Sequence, residues 1–245
     1  MNTARIAGLT VGLAALGASA LPAQLVNLGP GSFTALAPTI TFSEFALGTI
    51  NPSYDFTGIT GLGDVTVDFA GAFTGQTVTG TSVRTLTGSP VGPLSLNSGE
   101  QTFIVNDGAN PTSPILSGQP TFNGPIAILF SQPVAAVGLS GGFFDAVAGT
   151  SISAYGSNGA LLGSIVNSQT GIEFYGLRTA SGENEISGVA FYITGDEPAG
   201  FGIDNVTFGS VRQLQTVPEP STVILLASGI AALGLGGMFR RRRPS

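Results

Sequence analysis

A period of two narrows what this chain can fold into more than any other feature. Val65, Val67 and Phe69 point to one side while Thr66 and Asp68 point to the other, the alternation of a half-buried β-strand. Residues 39–45, 76–83, 101–105, 126–130, 134–139, 151–155, 161–166, 171–177, 186–194 and 202–208 read the same way. Short runs at regular spacing, with turn residues between them, predict an all-β, antiparallel fold, a β-sandwich or barrel, of which we take the sandwich. Glycine, 37 of 245 residues, supplies much of that punctuation. Ser157-Asn158-Gly159 is a hairpin signal, because Asn-Gly tolerates the positive φ of a tight turn. The stretches 88–93 and 106–114 read as surface loops, either of which can decorate a binding edge. Away from the two termini, no window carries the period of a long amphipathic helix.

The side chains that are missing exclude most chemistry. The chain has no cysteine, no histidine and no lysine. Disulfide staples are therefore impossible, and imidazole or thiolate sites for zinc, copper, haem or iron–sulfur clusters lose their ligands. The usual general base and any amine nucleophile are gone as well. Carboxylates and hard, oxygen-coordinated cations remain. Between residues 21 and 217, Arg84, Arg178 and Arg212 face thirteen carboxylates, a net charge of about −10. A surface of that sign repels phosphate backbones and makes nucleic acid an unsuitable partner.

Both termini carry membrane signals. Met1 to Arg5 is a short positive segment, Ile6 to Leu16 is apolar, and Ala18-Ser19-Ala20 offers the small residues that a signal peptidase reads. We predict a signal peptide over 1–20, cleaved after Ala20, with Ala23 as the alternative. At the other end, Pro218-Glu219-Pro220 is followed by an uncharged apolar run over 222–239 and then by Arg240, Arg241, Arg242 and Arg243. Some 18 helical residues span about 27 Å, enough for a hydrocarbon core. The arginine cluster acts as a stop-transfer clamp on the cytoplasmic side. Proline ends the span, and Ser221 is placed to cap it.

This order of Pro-Glu-Pro, apolar helix and arginine cluster resembles the PEP-CTERM sorting signal of exported bacterial proteins. The resemblance implies that Pro218, Glu219 and Pro220 are read by an exosortase, a membrane transpeptidase-like enzyme. The helix and arginines would hold the substrate in the membrane until it is processed. A plain tail anchor is the competing reading. The predicted organisation is a signal peptide (1–20), a lead-in segment (21–37), the β-sandwich ectodomain (38–210), a linker (211–217) and the sorting and anchor signal (218–245).

The back half adds a second resemblance. Gln132-Pro133-Val134, the run from Ser151 to Leu162, Gly171 to Leu177 and the closing Gly202-Ile-Asp-Asn-Val-Thr-Phe208 look like the jelly-roll ectodomain common among PEP-CTERM proteins, similar in layout to carbohydrate-binding modules. In sugar-binding jelly rolls the first and last strands often run together and a structural calcium bridges carboxylates there. The resemblance thus implies calcium at Glu44 and Asp204, with Asn205 or a backbone carbonyl. The plainer reading leaves Asp204 to cap or turn the last strand and Glu44 in solvent. Glu183, Glu185, Asp196 and Glu197 read as solvated loop ends.

A glycosidase needs two facing carboxylates. Glu173, Glu183, Glu185, Asp196 and Asp204 are available, but no spacing singles out a pair. Tyr54, Tyr155, Tyr175 and Tyr192 are the candidate platforms for sugar stacking, and tryptophan is absent. The expected function is a non-catalytic structural or adhesive surface or matrix protein associated with exopolysaccharide. A calcium-dependent carbohydrate-binding module is the alternative, and a carbohydrate-active enzyme the third reading.

Overall fold

The computed structural model describes residues 25–106 and 114–215. The signal segment with Ala18 and Ala20, residues 107–113, and the tail from Thr216 onward lie outside the described residues. That tail includes Pro218, Glu219, Pro220, the apolar run and Arg240, Arg241, Arg242 and Arg243. Among the described residues no helix is long and apolar enough to cross a membrane.

The chain first forms β1 (Leu25–Asn27), β2 (Thr39–Ile40), β3 (Ser53–Ile59), β4 (Gly63–Ala70), β5 (Thr77–Thr79) and β6 (Thr85–Thr87). It continues through β7 (Thr102–Val105), β8 (Ile115–Gly118), β9 (Ile126–Val134), β10 (Ala136–Phe144) and β11 (Thr150–Tyr155). The last strands are β12 (Leu161–Val166), β13 (Gly171–Thr179), β14 (Ile186–Ile193) and β15 (Gly202–Gly209). One sheet has the order β1-β13-β10-β15-β8-β7, with β2 also on β15. The other has the order β12-β11-β14-β9-β4-β3, and β5-β6 is a separate hairpin. All of these pairings are antiparallel. From β9 onward the chain passes repeatedly between the sheets, as a sandwich requires.

Apolar alternation decides which face turns inward. On β4, Val65, Val67 and Phe69 are buried while their polar neighbours face out. β14 lies between β11 and β9 and is buried almost throughout, so its sequence reads as a continuous apolar and small-residue run rather than an alternation. Gly188 of β14 has a packing reason. A Cβ there would lie 2.6 Å from the Phe73 ring and 2.7 Å from the Ile128 carbonyl oxygen. The hairpin expected at Ser157-Asn158-Gly159 joins β11 to β12, with Gly159 at φ 78° and Asn158 Oδ1 accepting from the Ala160 N–H.

Several elements depart from the sequence reading. The strand expected over 39–45 ends at Ile40, because the chain turns at Phe42 with φ 57° so that its ring enters the core. The run 76–83 is a strand only over Thr77–Thr79, paired with β6 and away from the main sheets. β1, β3, β6 and β8 have no counterpart among the expected strands, β1 lying in the segment read as lead-in.

Residues 211–215, read as linker, are held against the sandwich. Ser210 and Gln213 form a capping box around a short 3-10 turn (Val211–Gln213). Gln213 is 1% exposed, accepts from Ser210 N–H and Oγ–H, and donates to the Thr60 carbonyl at 3.1 Å. Leu214 bridges Phe33, and the Gln215 N–H donates to the Ser32 carbonyl. Replacing the Gln213 side chain leaves the buried Ser210 N–H without its acceptor. Gln213→Ala is expected to lower stability by about 1–3 kcal/mol, read as a lower urea midpoint with an unchanged m-value.

Candidate functional site

Two regions bring acidic side chains into the body of the fold. The first surrounds Asp204. β15 pairs with β2 through Val206↔Ile40 and Thr207↔Thr39, so the first and last strands of the predicted sandwich do run together. Opposite β10 the register slips between Gly138↔Thr207 and Ser140↔Asp204, and Asn205 takes φ 52°, a β-bulge. Asp204 is 3% exposed. Its Oδ1 accepts from the Asn205 N–H at 2.7 Å and its Oδ2 from Asn205 Nδ2 at 3.1 Å. The carboxylate therefore satisfies the backbone N–H of the bulged Asn205 and its side-chain amide.

Asp204 also lines a cavity of about 10 Å³ with Ser140, Gly141, Gly142, Ile172 and Ile203. A space of that size is at the lower limit for a single water and is far too small for a sugar ring. Glu44 is exposed in the turn beyond β2, where its Oε1 accepts from the Thr41 hydroxyl at 2.9 Å. Among the described residues no three His, Cys, Asp or Glu side chains gather into a ligand set.

The second region lies between the β10–β11 loop (145–149) and the β14–β15 loop (194–201). Glu197, expected at a solvated loop end, is 2% exposed. Its Oε1 accepts from the Asp145 N–H at 2.6 Å, while Oε2 is buried and has no hydrogen-bond partner. Around it the two loops are stitched together. The Ala199 N–H donates to Asp145 Oδ2 at 2.9 Å, and the Thr194 and Gly195 N–H groups donate to the Gly149 carbonyl. Asn167 Nδ2 donates to the Ala146 carbonyl at 2.6 Å. Burial pushes the Glu197 carboxyl above its ordinary value, and the negative charges of Asp145 and Asp196 add to the rise. The Asp145 and Ala146 N–H groups oppose it. No sequence signal distinguished Glu197 from its exposed neighbour Asp196, since both sit in a polar Gly-Asp-Glu-Pro turn.

Most of the other described acids accept hydrogen bonds that hold loops or strands. Glu173 receives the Ser168 N–H and hydroxyl and the Gln169 N–H, and Glu185 receives the Ser181 hydroxyl. Asp68 accepts from Ser53 and Asp55 from Thr66 on the outer face of β3–β4. Glu100 pairs with Arg84 at 2.8 Å.

The tyrosines are not surface platforms. Tyr54, Tyr155 and Tyr175 are buried, and the half-buried Tyr192 hydroxyl is bonded to Ser153. Burial raises the hydroxyl pKa of the first three. The rings at the surface belong to phenylalanines, Phe143 at 53% exposure and Phe45 at 41%. The Phe143-Phe144 pair is divided between solvent and core, Phe144 being fully buried.

Residues 216–243 match the PEP-CTERM protein-sorting motif. The chain is thereby marked as an exported protein with a C-terminal sorting signal. Searches of curated proteins find no match. Two solved structures align over most of the sandwich. Both are point mutants of CBM29-2, studied for ligand recognition by family 29 carbohydrate binding modules. One is 12% identical, covering 73% of this chain and 98% of its own, and the other is 13% identical, covering 75% and 99%. Both have a TM-score of 0.29, too low to support a conclusion about ligand or lineage.

The raised Glu197 carboxyl has a consequence for stability. An acid whose folded pKa exceeds its unfolded value binds its proton more tightly when folded. Its stabilising contribution is full below the unfolded value and is lost as pH rises through the folded one. In EDTA, wild type is expected to lose melting temperature relative to Glu197→Gln as pH rises above the ordinary glutamate value, because the amide stays neutral throughout. Parallel thermal scans of the two proteins check this.

Proposed function

We propose that this chain is an exported surface or extracellular-matrix protein, released by signal peptidase at its N-terminus and processed by an exosortase at Pro218-Glu219-Pro220. Its sandwich serves as a non-catalytic structural or adhesive component associated with extracellular polysaccharide. The observation that carries this reading is the sorting motif over residues 216–243. It sits beside an ectodomain whose acids are largely committed to holding loops and bulges. Retaining and inverting glycosidases need two carboxyl groups free to face a bond. Glu173, Glu185 and Asp204 instead each accept hydrogen bonds from groups close in sequence.

The apolar run holds the precursor in the membrane, with the arginine cluster fixing its orientation. Proline at both ends of the triplet has a fixed φ and no backbone N–H, a chemistry that sets it apart from the apolar run that follows. Pro218→Ala combined with Pro220→Ala is expected to leave the unprocessed, larger species in the membrane fraction of the native cells. Wild type is expected to accumulate at the processed mass. Immunoblots of fractionated cells distinguish the two, and normal processing of the double variant would remove the role assigned to the triplet.

A further inference from the structure

A sandwich has open sheet edges, and those of the two main sheets are guarded at all but one place. Along β7 the outer groups are taken by the loop before β3, where the Gly48 N–H donates to the Ile104 carbonyl and the Asn51 N–H to the Thr102 carbonyl. β1 is only three residues long. β3 carries the exposed Asp55, with Asp64 and Asp68 on its neighbour β4, and like charges keep a second acidic strand away. β12 is the remaining edge, and among the described residues it pairs with β11 alone. It is six residues long, Leu161-Leu-Gly-Ser-Ile-Val166, with Leu161 53% and Val166 51% exposed. From residue 146 to residue 172 there is no charged side chain. The edge is therefore neutral in a domain that is otherwise strongly acidic. Its backbone faces outward as well. The Asn167 N–H donates to the Thr150 carbonyl across the β11–β12 ladder, and on the other side of β11 the Thr194 N–H donates to the Gly149 carbonyl. Alternation then turns the N–H and C=O of Ile165 toward β11 and those of Ser164 and Val166 away from it.

We propose that the β12 edge is a self-association surface, pairing antiparallel with β12 of a second copy of this chain across a two-fold axis at Ser164. A two-fold interface must be self-complementary. This strand is, since the axis sets Val166 of one copy against Leu162 of the other and leaves Gly163 and Ser164, the small residues, at the centre. Charge selects the partner. With a net charge of about −10 between residues 21 and 217, a second copy is repelled by most of the surface and can approach only through a neutral edge. A basic partner would gain more from the acidic faces elsewhere. The two six-stranded sheets would become one continuous sheet, ending at both β3 edges, where Asp55 opposes further growth. The product is a closed dimer and not a fibre. One pair of strand edges buries less than a standard interface, so the dimer is weak and forms where the protein is concentrated. This pairing does not depend on the polysaccharide association proposed above.

The test uses the full chain in detergent, at about 100 μM because a weak interface needs concentrated protein. Wild type should sediment as a dimer. Val166→Glu should lose the dimer while keeping a cooperative thermal transition, and Val166→Thr should keep it. Leu36→Glu adds the same charge at a side chain that is 78% exposed elsewhere, and it should keep the dimer too. Location has its own readout. The chain has no cysteine, and two residues that exchange both hydrogen bonds of an antiparallel pair have Cα atoms about 5.5 Å apart, within disulfide reach. Under mild oxidation Ser164→Cys should therefore form a covalent dimer at least about tenfold faster than Leu36→Cys, because pairing raises its effective concentration. A monomeric wild type would overturn the proposal. So would a dimer that survives Val166→Glu, which would place the contact elsewhere, such as the apolar tail, or cross-linking of Ser164→Cys no faster than that of Leu36→Cys.

Discussion

Four aromatic rings pin the two sheets together, and the upper loops depend on them. Phe144 of β10 and Tyr175 of β13 come from one sheet, Phe191 of β14 from the other, and Phe201 from the segment entering β15. Phe191 meets Phe201 at 4.7 Å and Tyr175 at 5.0 Å, both edge to face, and Phe144 meets Tyr175 at 5.7 Å. Edge-to-face pairs contribute about 0.5–1.5 kcal/mol each beyond the area they bury. In a chain without cysteine, contacts of this kind replace covalent staples. The cluster also sets the floor on which Thr150, Asn167 and the two acid-bearing loops are arranged. Phe144 leads into one of those loops and Phe201 closes the other, and both rings are fully buried.

Alternation carried most of the fold. Wherever one face of a strand is buried and the other is wet, as in β4, burial follows the pattern residue by residue. β12 matched its expected bounds, and β11 and β14 ran within one residue of theirs, because turn residues delimit them. The losses were of a different kind. β3 was hidden because its inward residues, Tyr54 and Phe56, are spaced among Asp, Thr and Gly that resemble a loop. β8 is four residues long and buried on both faces, so it had no period to detect. Strand 39–45 was overextended because Phe42 keeps the apolar alternation while its backbone leaves the sheet. Periodicity reports which side chains go inside, and in such places it cannot distinguish a strand from a turn that buries a ring.

The acids show the same limit more strongly. Asp204 drew attention by its place in the last strand, and its carboxylate is found bonded to the donors of the Asn205 bulge. Glu197 drew none, since a Gly-Asp-Glu-Pro stretch has every mark of solvent exposure. Its burial is a tertiary effect. Two loops distant in sequence are brought together by sheet pairing, and the smallness of Gly149 allows a carboxylate to close over it. Tyrosines misled in the opposite sense, because composition marks them as candidate surface rings while edge-to-face packing recruits them to the core.

The C-terminal closure ties the sandwich to the sorting signal. Gln213 is buried, Leu214 bridges Phe33, and Gln215 bonds Ser32, so the folded body extends to residue 215. Six residues, 216–221, then separate it from the apolar run. Fully extended, they reach at most about 21 Å. On the function proposed above, a run 222–239 held in a bilayer would keep the sandwich close to the headgroups before processing, and the sorting enzyme would work within that gap. Loosening the closure at Ser210–Gln213 would lengthen the tether at the cost of exposing the Thr60 and Phe33 side of the fold. On that proposal the buried glutamine that closes the fold at Ser210 and Thr60 would also set the reach of the segment to be recognised.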